Sequence, residues 1–264
     1  MNIFVHELTA NLKSLLIWGV IVILFVVVGT SKFSAYYENP DMLAILDAMP
    51  PALLDAFNMQ AFNLTTLSGF FGLMFTYYAL MLSIAAAMWG SDVISKEERD
   101  KTVEFSLTLP VPRSRVVTAK SLAALVNCIG LLLITWGISL ATATPYQPDG
   151  EFYTFVALCM LALFIMQVIF LSIGIFLGCA LKQYKRASSA ALSVLLATYF
   201  ISIVSSLNQD LEFLNYVSPF KYFDAGVLLR ESRLDGTFVV LSLAIIGISM
   251  AGAYVAYTRR DLYI

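Results

Sequence analysis

Six long apolar runs, separated by shorter polar segments, set the pattern of this chain. They cover residues 14–33, 68–89, 121–143, 154–181, 187–207 and 237–258. A helix needs about 20 apolar residues to cross a hydrocarbon core of ~30 Å. Backbone amides at that depth must bond within their own segment, which makes helices obligatory. The pattern predicts an all-α integral membrane protein, with six transmembrane helices forming one domain over residues 1–264.

The first thirteen residues are too polar to span a bilayer. Phe4, Leu8 and Leu12 recur every four residues, whereas Glu7 and Asn11 lie largely elsewhere on a helical wheel. This pattern predicts an amphipathic helix lying in the membrane interface. A signal peptide is the alternative, but the segment lacks an early positive charge and further spans follow it.

Between the second and third apolar runs lies a long polar stretch, residues 92–120, with six of the sixteen Lys and Arg residues. Ser95 and Glu98 match a capping box, which predicts a helix from Ser95 to about Leu109. Pro110 and Pro112 would end that helix. The apolar alternation at 103, 105, 107 and 109 also fits a strand. Because one mixed-charge loop in an apolar protein indicates contact with a soluble partner, we interpret it as a docking element. The alternative is a solvated turn between spans.

Composition agrees with the membrane assignment, since the chain is 59% hydrophobic and only 13% charged. Lys and Arg favour the cytoplasmic side of membrane proteins. With the N-terminus in the cytoplasm, twelve of these residues lie inside and four outside. We therefore expect a multi-pass protein of the cell membrane with both termini cytoplasmic. The net charge of −2 gives no indication of nucleic-acid binding.

Several kinds of chemistry are excluded by residues that the sequence lacks. His6 is the only histidine, so His-based triads and multi-His metal centres cannot form. There is no GxxxxGK[ST] motif and therefore no P-loop. The apolar runs carry no charge apart from Lys32 at the end of the first, which argues against a proton-driven transporter. We expect no catalytic, cofactor or metal site in this chain.

The remaining polar and small residues inside the runs favour structural roles. We expect Gln167 to form an interhelical hydrogen bond rather than to contact a substrate. Gly174 and Gly178, and the alanines at 85–87, predict close helix packing. The cysteines Cys128, Cys159 and Cys179 lack metal-ligand spacing and are interpreted as small packing residues.

The polar stretch resembles the corresponding loop of the type-2 permeases of ATP-binding cassette (ABC) transporters. That family pattern has an acidic pair, Gly-Thr, Glu, leucines, Pro-Val-Ser-Arg and a Lys entering the third span. The matching residues here are Glu97, Glu98, Thr102, Glu104, Leu107, Pro110, Val111, Arg113 and Lys120. Lys101 and Pro112 depart from it, standing where the family has Gly and Ser. The resemblance extends to the order of the spans, the segment Tyr216–Phe220 and the basic tail at 259–261.

The resemblance implies the transmembrane subunit of an ABC transporter, most often an exporter, in a type V exporter-like arrangement. The loop would be a coupling helix seated on a separate P-loop ATPase, which binds ATP and Mg²⁺. The implied complex has two ATPases and two permeases, the second being another copy or a similar chain, embedded in membrane lipid. The coupling residues would be Glu97, Glu98, Arg99, Lys101, Thr102, Glu104, Phe105, Leu107, Pro110 and Arg113.

The segment 208–236, between the fifth and sixth runs, is too polar to span and too aromatic for a free loop. It is predicted to form a re-entrant hairpin on the outside, turning near Ser218 and Pro219. Together with Tyr216 and Phe220, these residues would form an outside gate over the exit path. The alternative is a surface loop held by its aromatic side chains.

Two other functional classes stay open from the sequence. One is an ATP-independent membrane scaffold or accessory protein, and the other a secondary transporter or intramembrane enzyme. The cargo is not named by any motif. Met- and Phe-rich faces of the second and fourth runs favour an amphiphilic or hydrophobic substrate, although such side chains are ordinary in any span.

Overall fold

The computed structural model describes residues 3–37, 39, 48, 50, 62–99, 111–181, 183–207 and 209–259. Six long helices dominate this part of the chain. They are α1 (Ile3–Phe33), α2 (Leu67–Arg99), α3 (Arg113–Ala143), α4 (Gly150–Ala180), α5 (Tyr184–Leu207) and α6 (Gly236–Arg259). A short helix, Ala225–Glu231, and three 3₁₀ segments lie between them, and no strand occurs among the described residues.

All six helices are long and apolar enough to cross a membrane, which confirms the predicted number of spans and the all-helical class. Because successive helices alternate in direction, the bundle has two distinct ends. We call the "loop end" the one where α2 ends and α3 begins, on either side of the polar stretch. We call the "hairpin end" the one where α5 ends and α6 begins.

The expected separate interfacial helix is wrong. Residues 3–13 continue directly into the first span as one helix of 31 residues, which is about 46 Å long. Its first turns pack by their polar side: Glu7 is buried, whereas Leu12 is exposed. The physical reason is that the polar residues there find partners on neighbouring helices instead of water.

The predicted helix start at Ser95 is also wrong. The helix α2 runs unbroken through Ser95 to Arg99, and the Ser95 hydroxyl donates a hydrogen bond to the Ser91 carbonyl. A capping box satisfies backbone N–H groups that have no partner at a helix start. Here those groups already bond to the preceding turn of α2, so the pattern has nothing to cap. The remaining part of the predicted helix, toward Leu109, lies outside the described residues.

The helices α2 and α4 form the buried centre of the bundle. A Cβ atom placed on Gly174 would lie 2.6 Å from the Ala87 carbonyl oxygen, and one on Gly178 would lie 2.6 Å from that of Ser91. On the opposite helix, a Cβ on Gly90 would lie 2.3 Å from the Leu171 carbonyl oxygen. Backbones at this distance exclude any larger residue, which confirms the predicted close packing through small residues.

The other helices surround this pair. The helix α1 packs mainly against α3, α6 packs against α4, and α5 packs against α2 and α4. Residues on the outer sides of α1 and α6 are largely exposed, as expected for surfaces that face lipid or another chain. The turn between α3 and α4 is short, and the Asp149 carboxylate accepts a hydrogen bond from the Phe152 amide to cap α4.

Candidate functional site

At the loop end, the structure places the predicted coupling residues unevenly. Glu97, Glu98 and Arg99 belong to the last turn of α2, and Arg113 is the first residue of α3. The other predicted coupling residues lie outside the described part of the chain: Lys101, Thr102, Glu104, Phe105, Leu107 and Pro110. The coupling role therefore stays a prediction, and what the structure describes is how both flanks of the loop are held.

Both flanks are held by an ionic cluster formed by Glu7, Lys96 and Lys120. The Lys120 ammonium lies 3.0 Å from the Glu7 carboxylate, and that of Lys96 lies 3.9 Å from it. Lys120 also donates a hydrogen bond to the Val93 carbonyl oxygen at 3.1 Å, and Lys96 donates one to Asn11. The cluster thus ties the beginning of α1 to the end of α2 and to the beginning of α3.

The burial of this cluster decides how it acts. The Lys120 side chain is only 2% exposed and that of Glu7 10%. Removing two charges from water costs several kcal/mol per ion, which their mutual attraction and hydrogen bonds offset. The pair therefore adds little net stability, but the loss of one partner leaves the other charge buried without its nearest counter-charge. Together with the hydrogen bond from Lys120 to Val93, the pair holds α1, α2 and α3 in one relative position.

Further contacts reinforce the loop end. The Trp89 indole donates a hydrogen bond to the Ser14 hydroxyl at 2.9 Å, which joins α2 to α1 one or two turns deeper. The Arg113 guanidinium donates to the Tyr257 carbonyl oxygen at 3.3 Å and lies 5.9 Å from the centre of its ring. Since Tyr257 belongs to α6, the beginning of α3 is fixed to the end of the last helix as well.

Glu7 was missed as a functional candidate because the helical wheel places it away from the apolar residues of α1. Lys120 entered only through the family resemblance. No local pattern joins two charges that lie more than a hundred residues apart in sequence. One signal in the sequence could have identified them. Glu7 and Lys120 are charged residues near apolar runs, and a charged side chain that is buried there needs a partner.

At the hairpin end, the segment 209–223 folds back along α5. The Ser218 hydroxyl donates to the Thr198 carbonyl oxygen at 2.7 Å, and the Ser205 hydroxyl bonds to the Asn215 side chain. Thr198 lies nine residues before the end of α5, a distance of about 13 Å along the axis. At Ser218 the segment therefore reaches well below the end of the helix, and the hairpin itself stays a prediction.

The four predicted gate residues do not share one environment. Ser218 and Pro219 are buried against the bundle. The ring of Phe220 lies 5.4 Å from that of Tyr199 and 5.3 Å from that of Phe170, measured between centroids. Tyr216, in contrast, is 58% exposed. The structure brings three of the predicted residues together between α4 and α5 and leaves Tyr216 outside this group.

Between α2, α5 and the hairpin segment lies a small cavity of about 50 Å³. Its walls combine rings with polar groups, including Phe75, Thr76, Ser202, Lys221 and Asp224. Burial lowers the pKa of Lys221, and the nearby Asp224 carboxylate raises it in part. The same carboxylate accepts hydrogen bonds from the amides of Gly226 and Val227 at 2.8 and 3.2 Å, which caps the short helix. The cavity therefore has a mixed, amphiphilic lining.

The polar residues deep in the bundle have structural roles. The Gln167 side chain donates to the Cys128 carbonyl oxygen at 3.3 Å, joining α4 to α3, which confirms the predicted interhelical bond. The three cysteines are buried and form no disulfide bond with one another. Within the described residues, no group of three or more His, Cys, Asp or Glu side chains is placed to hold a metal ion.

Comparison with known families identifies a match over nearly the whole chain. A family model described as "ABC-2 family transporter protein" covers residues 1–262, which is nearly the whole chain. No curated protein matches the sequence.

Proposed function

Because the chain belongs to the ABC-2 family of transporter proteins, we propose that it is the transmembrane permease subunit of an ABC exporter. A separate P-loop ATPase, present in two copies, would bind ATP and Mg²⁺ and supply the energy. A second permease, either the same chain or a similar one, would complete the path. This chain itself would carry out no catalysis.

The observation that carries the proposal is the ionic cluster at the loop end. A coupling loop must pass a movement of the ATPase to the spanning helices, and a flexible connection would absorb it. Here Lys120 bonds to Glu7 of α1 and to the Val93 carbonyl of α2, so three helices meet directly beside the loop. A displacement of the loop would therefore move them together.

The hairpin segment supports a role at the exit. Its backbone reaches along α5 to the depth of Thr198, and irregular backbone at membrane depth is tolerated where protein or a polar cavity surrounds it. We propose that it is re-entrant and that Phe220, with Ser218 and Pro219, closes the path on the outer side. The mixed lining of the adjoining cavity suits an amphiphilic or hydrophobic cargo.

The loop tests the proposal directly. In cells that also express the cognate ATPase, Glu104→Lys is expected to reduce the ATPase that co-purifies with the permease by about tenfold or more. The reason is that Glu104 belongs to the predicted docking element, and a reversed charge at an interface costs several kcal/mol when it meets a like charge. Phe105→Asp is expected to act likewise by placing a charge in an apolar contact.

Glu151→Lys is the matched control, because this exposed acid lies in the first turn of α4 at the opposite end of the bundle. Its co-purification should equal that of the wild type. Unchanged co-purification in both loop variants would contradict the docking role. Transport activity by the purified chain without any ATPase would instead support the secondary-transporter alternative.

A further inference from the structure

A lateral groove opens between α3, α4 and α6 in the half of the bundle nearer the loop end. Its cavity measures about 200 Å³, several times that of the cavity at the hairpin end. Leu122 and Leu125 of α3, Leu171 and Ile175 of α4, and Met250 of α6 supply most of its apolar wall. We call it the "α3–α6 groove".

The wall contributed by α3 changes from polar to apolar with depth. Thr118, Ser121, Leu122 and Leu125 all line the groove, and their spacing places them on one helical face. Arg115 precedes Thr118 by three residues on that face and is exposed. From Arg115 to Leu125 the axial distance is about 15 Å. Along this distance a cation is followed by two hydroxyl groups and then by hydrocarbon.

Within this order of groups, one hydroxyl lacks a partner. The Ser121 Oγ is buried, and no hydrogen-bond partner for it exists among the described residues. The Thr118 hydroxyl, in contrast, bonds to the Ser114 carbonyl and to the Tyr254 hydroxyl, at 2.9 and 2.7 Å. A buried polar atom without a partner costs roughly 1–3 kcal/mol. A bound molecule with an acceptor at this depth would remove that cost.

We propose that the α3–α6 groove holds one acyl chain of a resident glycerophospholipid from the surrounding bilayer. The ester carbonyl would accept a hydrogen bond from Ser121, and the phosphate would lie near Arg115. The order of groups in such a lipid, with phosphate first, then ester and then hydrocarbon, matches the order along α3. This site does not depend on the transport function.

The dimensions of the groove favour a lipid over a second protein chain. A cavity of this volume admits a hydrocarbon chain but not a helix, which is 10–12 Å across. Within a bilayer, an acyl chain gains little from exchanging lipid neighbours for apolar side chains. Selective retention must therefore come from the polar groups, Ser121 and Arg115, and this makes the proposal testable.

The experiment uses the full chain in lipid nanodiscs that contain a trace of phosphatidylglycerol carrying a diazirine on one acyl chain. After illumination, the labelled peptides are identified by mass spectrometry. Labelling is expected to concentrate on the groove, around Leu122, Leu125 and Met250. The exposed residues Val240 and Leu243 of α6 serve as the internal reference for lipid contact without a groove. Equal labelling of both groups would overturn the proposal.

Three variants separate the parts of the site. Leu125→Trp fills the groove and should reduce groove labelling several-fold, whereas Leu133→Trp, at an exposed position of α3 outside the groove, should not. Ser121→Ala should reduce it with phosphatidylglycerol and phosphatidylcholine alike. Arg115→Gln should lower the preference for the anionic probe by about fivefold, the factor that corresponds to roughly 1 kcal/mol.

The variants also distinguish the lipid from the alternative occupant, a second copy of this chain. If Leu125→Trp leaves the labelling unchanged but breaks a dimer of the chain, as measured by the mass of the detergent-solubilised complex, the groove is a contact between copies and the lipid site is wrong. A groove that labels in the wild type but equally in the Ser121→Ala and Arg115→Gln variants would also contradict the assigned polar contacts.

Discussion

The Glu7 carboxylate lies between two ammonium groups that belong to different helices, 3.0 Å from that of Lys120 and 3.9 Å from that of Lys96. Glu7 and Lys120 form the closer pair, and each is too deeply buried for water alone to solvate its charge. At the scale of the residue, the pair therefore fixes the relative position of the helices and contributes little to the net stability of the fold. Its value shows when one member is removed and the other stays behind in a buried environment.

The first prediction concerns this pair. Glu7→Gln should destabilise the purified protein by about 3 kcal/mol, because the buried Lys120 ammonium loses the carboxylate that lies 3.0 Å from it. The double variant Glu7→Gln/Lys120→Met should recover most of that loss, because the buried ammonium is removed together with the carboxylate that it faces. Melting temperatures in detergent measure both effects.

Glu151→Gln, which removes an exposed carboxylate on α4, controls for the loss of negative charge and should melt like the wild type. The result that contradicts this prediction is an additive one. If the loss of stability in the double variant equals the sum of the losses in Glu7→Gln and Lys120→Met, the two side chains act independently and the ionic cluster does not couple the helices.

At the scale of the element, the segment 209–223 is held by different contacts on its two sides. Phe220 faces inward, between the rings of Tyr199 and Phe170. Tyr216 and Phe213 face outward and are about three-fifths exposed. If the segment closes a path, its inward side chain decides the closure, and the outward ones serve as comparisons of the same chemical type.

The second prediction follows from this difference. Phe220→Ala should uncouple transport from ATP hydrolysis, so that the complex retains its ATPase activity but loses most of its transport. The substitution removes a half-buried ring, at a cost of about 1–3 kcal/mol in local packing. Transport and ATPase rates are measured in the same proteoliposomes.

Phe213→Ala is the matched control and should behave as the wild type, and Tyr216→Ala should have a smaller effect than Phe220→Ala. Normal coupled transport in Phe220→Ala would leave the segment a passive cover.

The elements also show where sequence patterns succeed and where they fail. The six helices follow from the apolar runs because a bilayer leaves the backbone no other choice. Their ends do not, since α1 and α2 extend into polar residues that a hydropathy pattern excludes. The Ser95 pattern misled because a cap depends on whether a helix already arrives from the preceding residues. The depth of Ser218 depends on one carbonyl of α5, which no local pattern encodes.

At the scale of the whole molecule, the bundle has two chemically different ends. The loop end gathers the ionic cluster and the basic residues around Arg113, whereas the hairpin end is aromatic. By the positive-inside rule, the excess of Lys and Arg on the loop side predicts that this end faces the cytoplasm.

The third prediction tests this orientation. Single cysteines are introduced at Ser114, Glu151 and Asp210, all exposed in the structure, in a background without the three native cysteines. An impermeant maleimide added to intact cells should label Glu151→Cys and Asp210→Cys but not Ser114→Cys. Permeabilised cells provide the control, since all three positions should then react. The reverse pattern would invert the molecule and exclude a cytoplasmic ATPase at the loop end.

The contact between α2 and α4 has a consequence for biosynthesis. Gly90 meets the backbone of a helix whose residues are translated roughly 80 positions later, and a ribosome adds about 5–20 residues per second. For several seconds, the small-residue face of α2 is therefore inserted without the backbone surface that it fits. During that interval its nearest companions are lipid, α1 and the newly inserted α3. The nascent chain must remain in a loosely assembled state until α4 arrives, and this step sets the earliest moment at which the bundle can close.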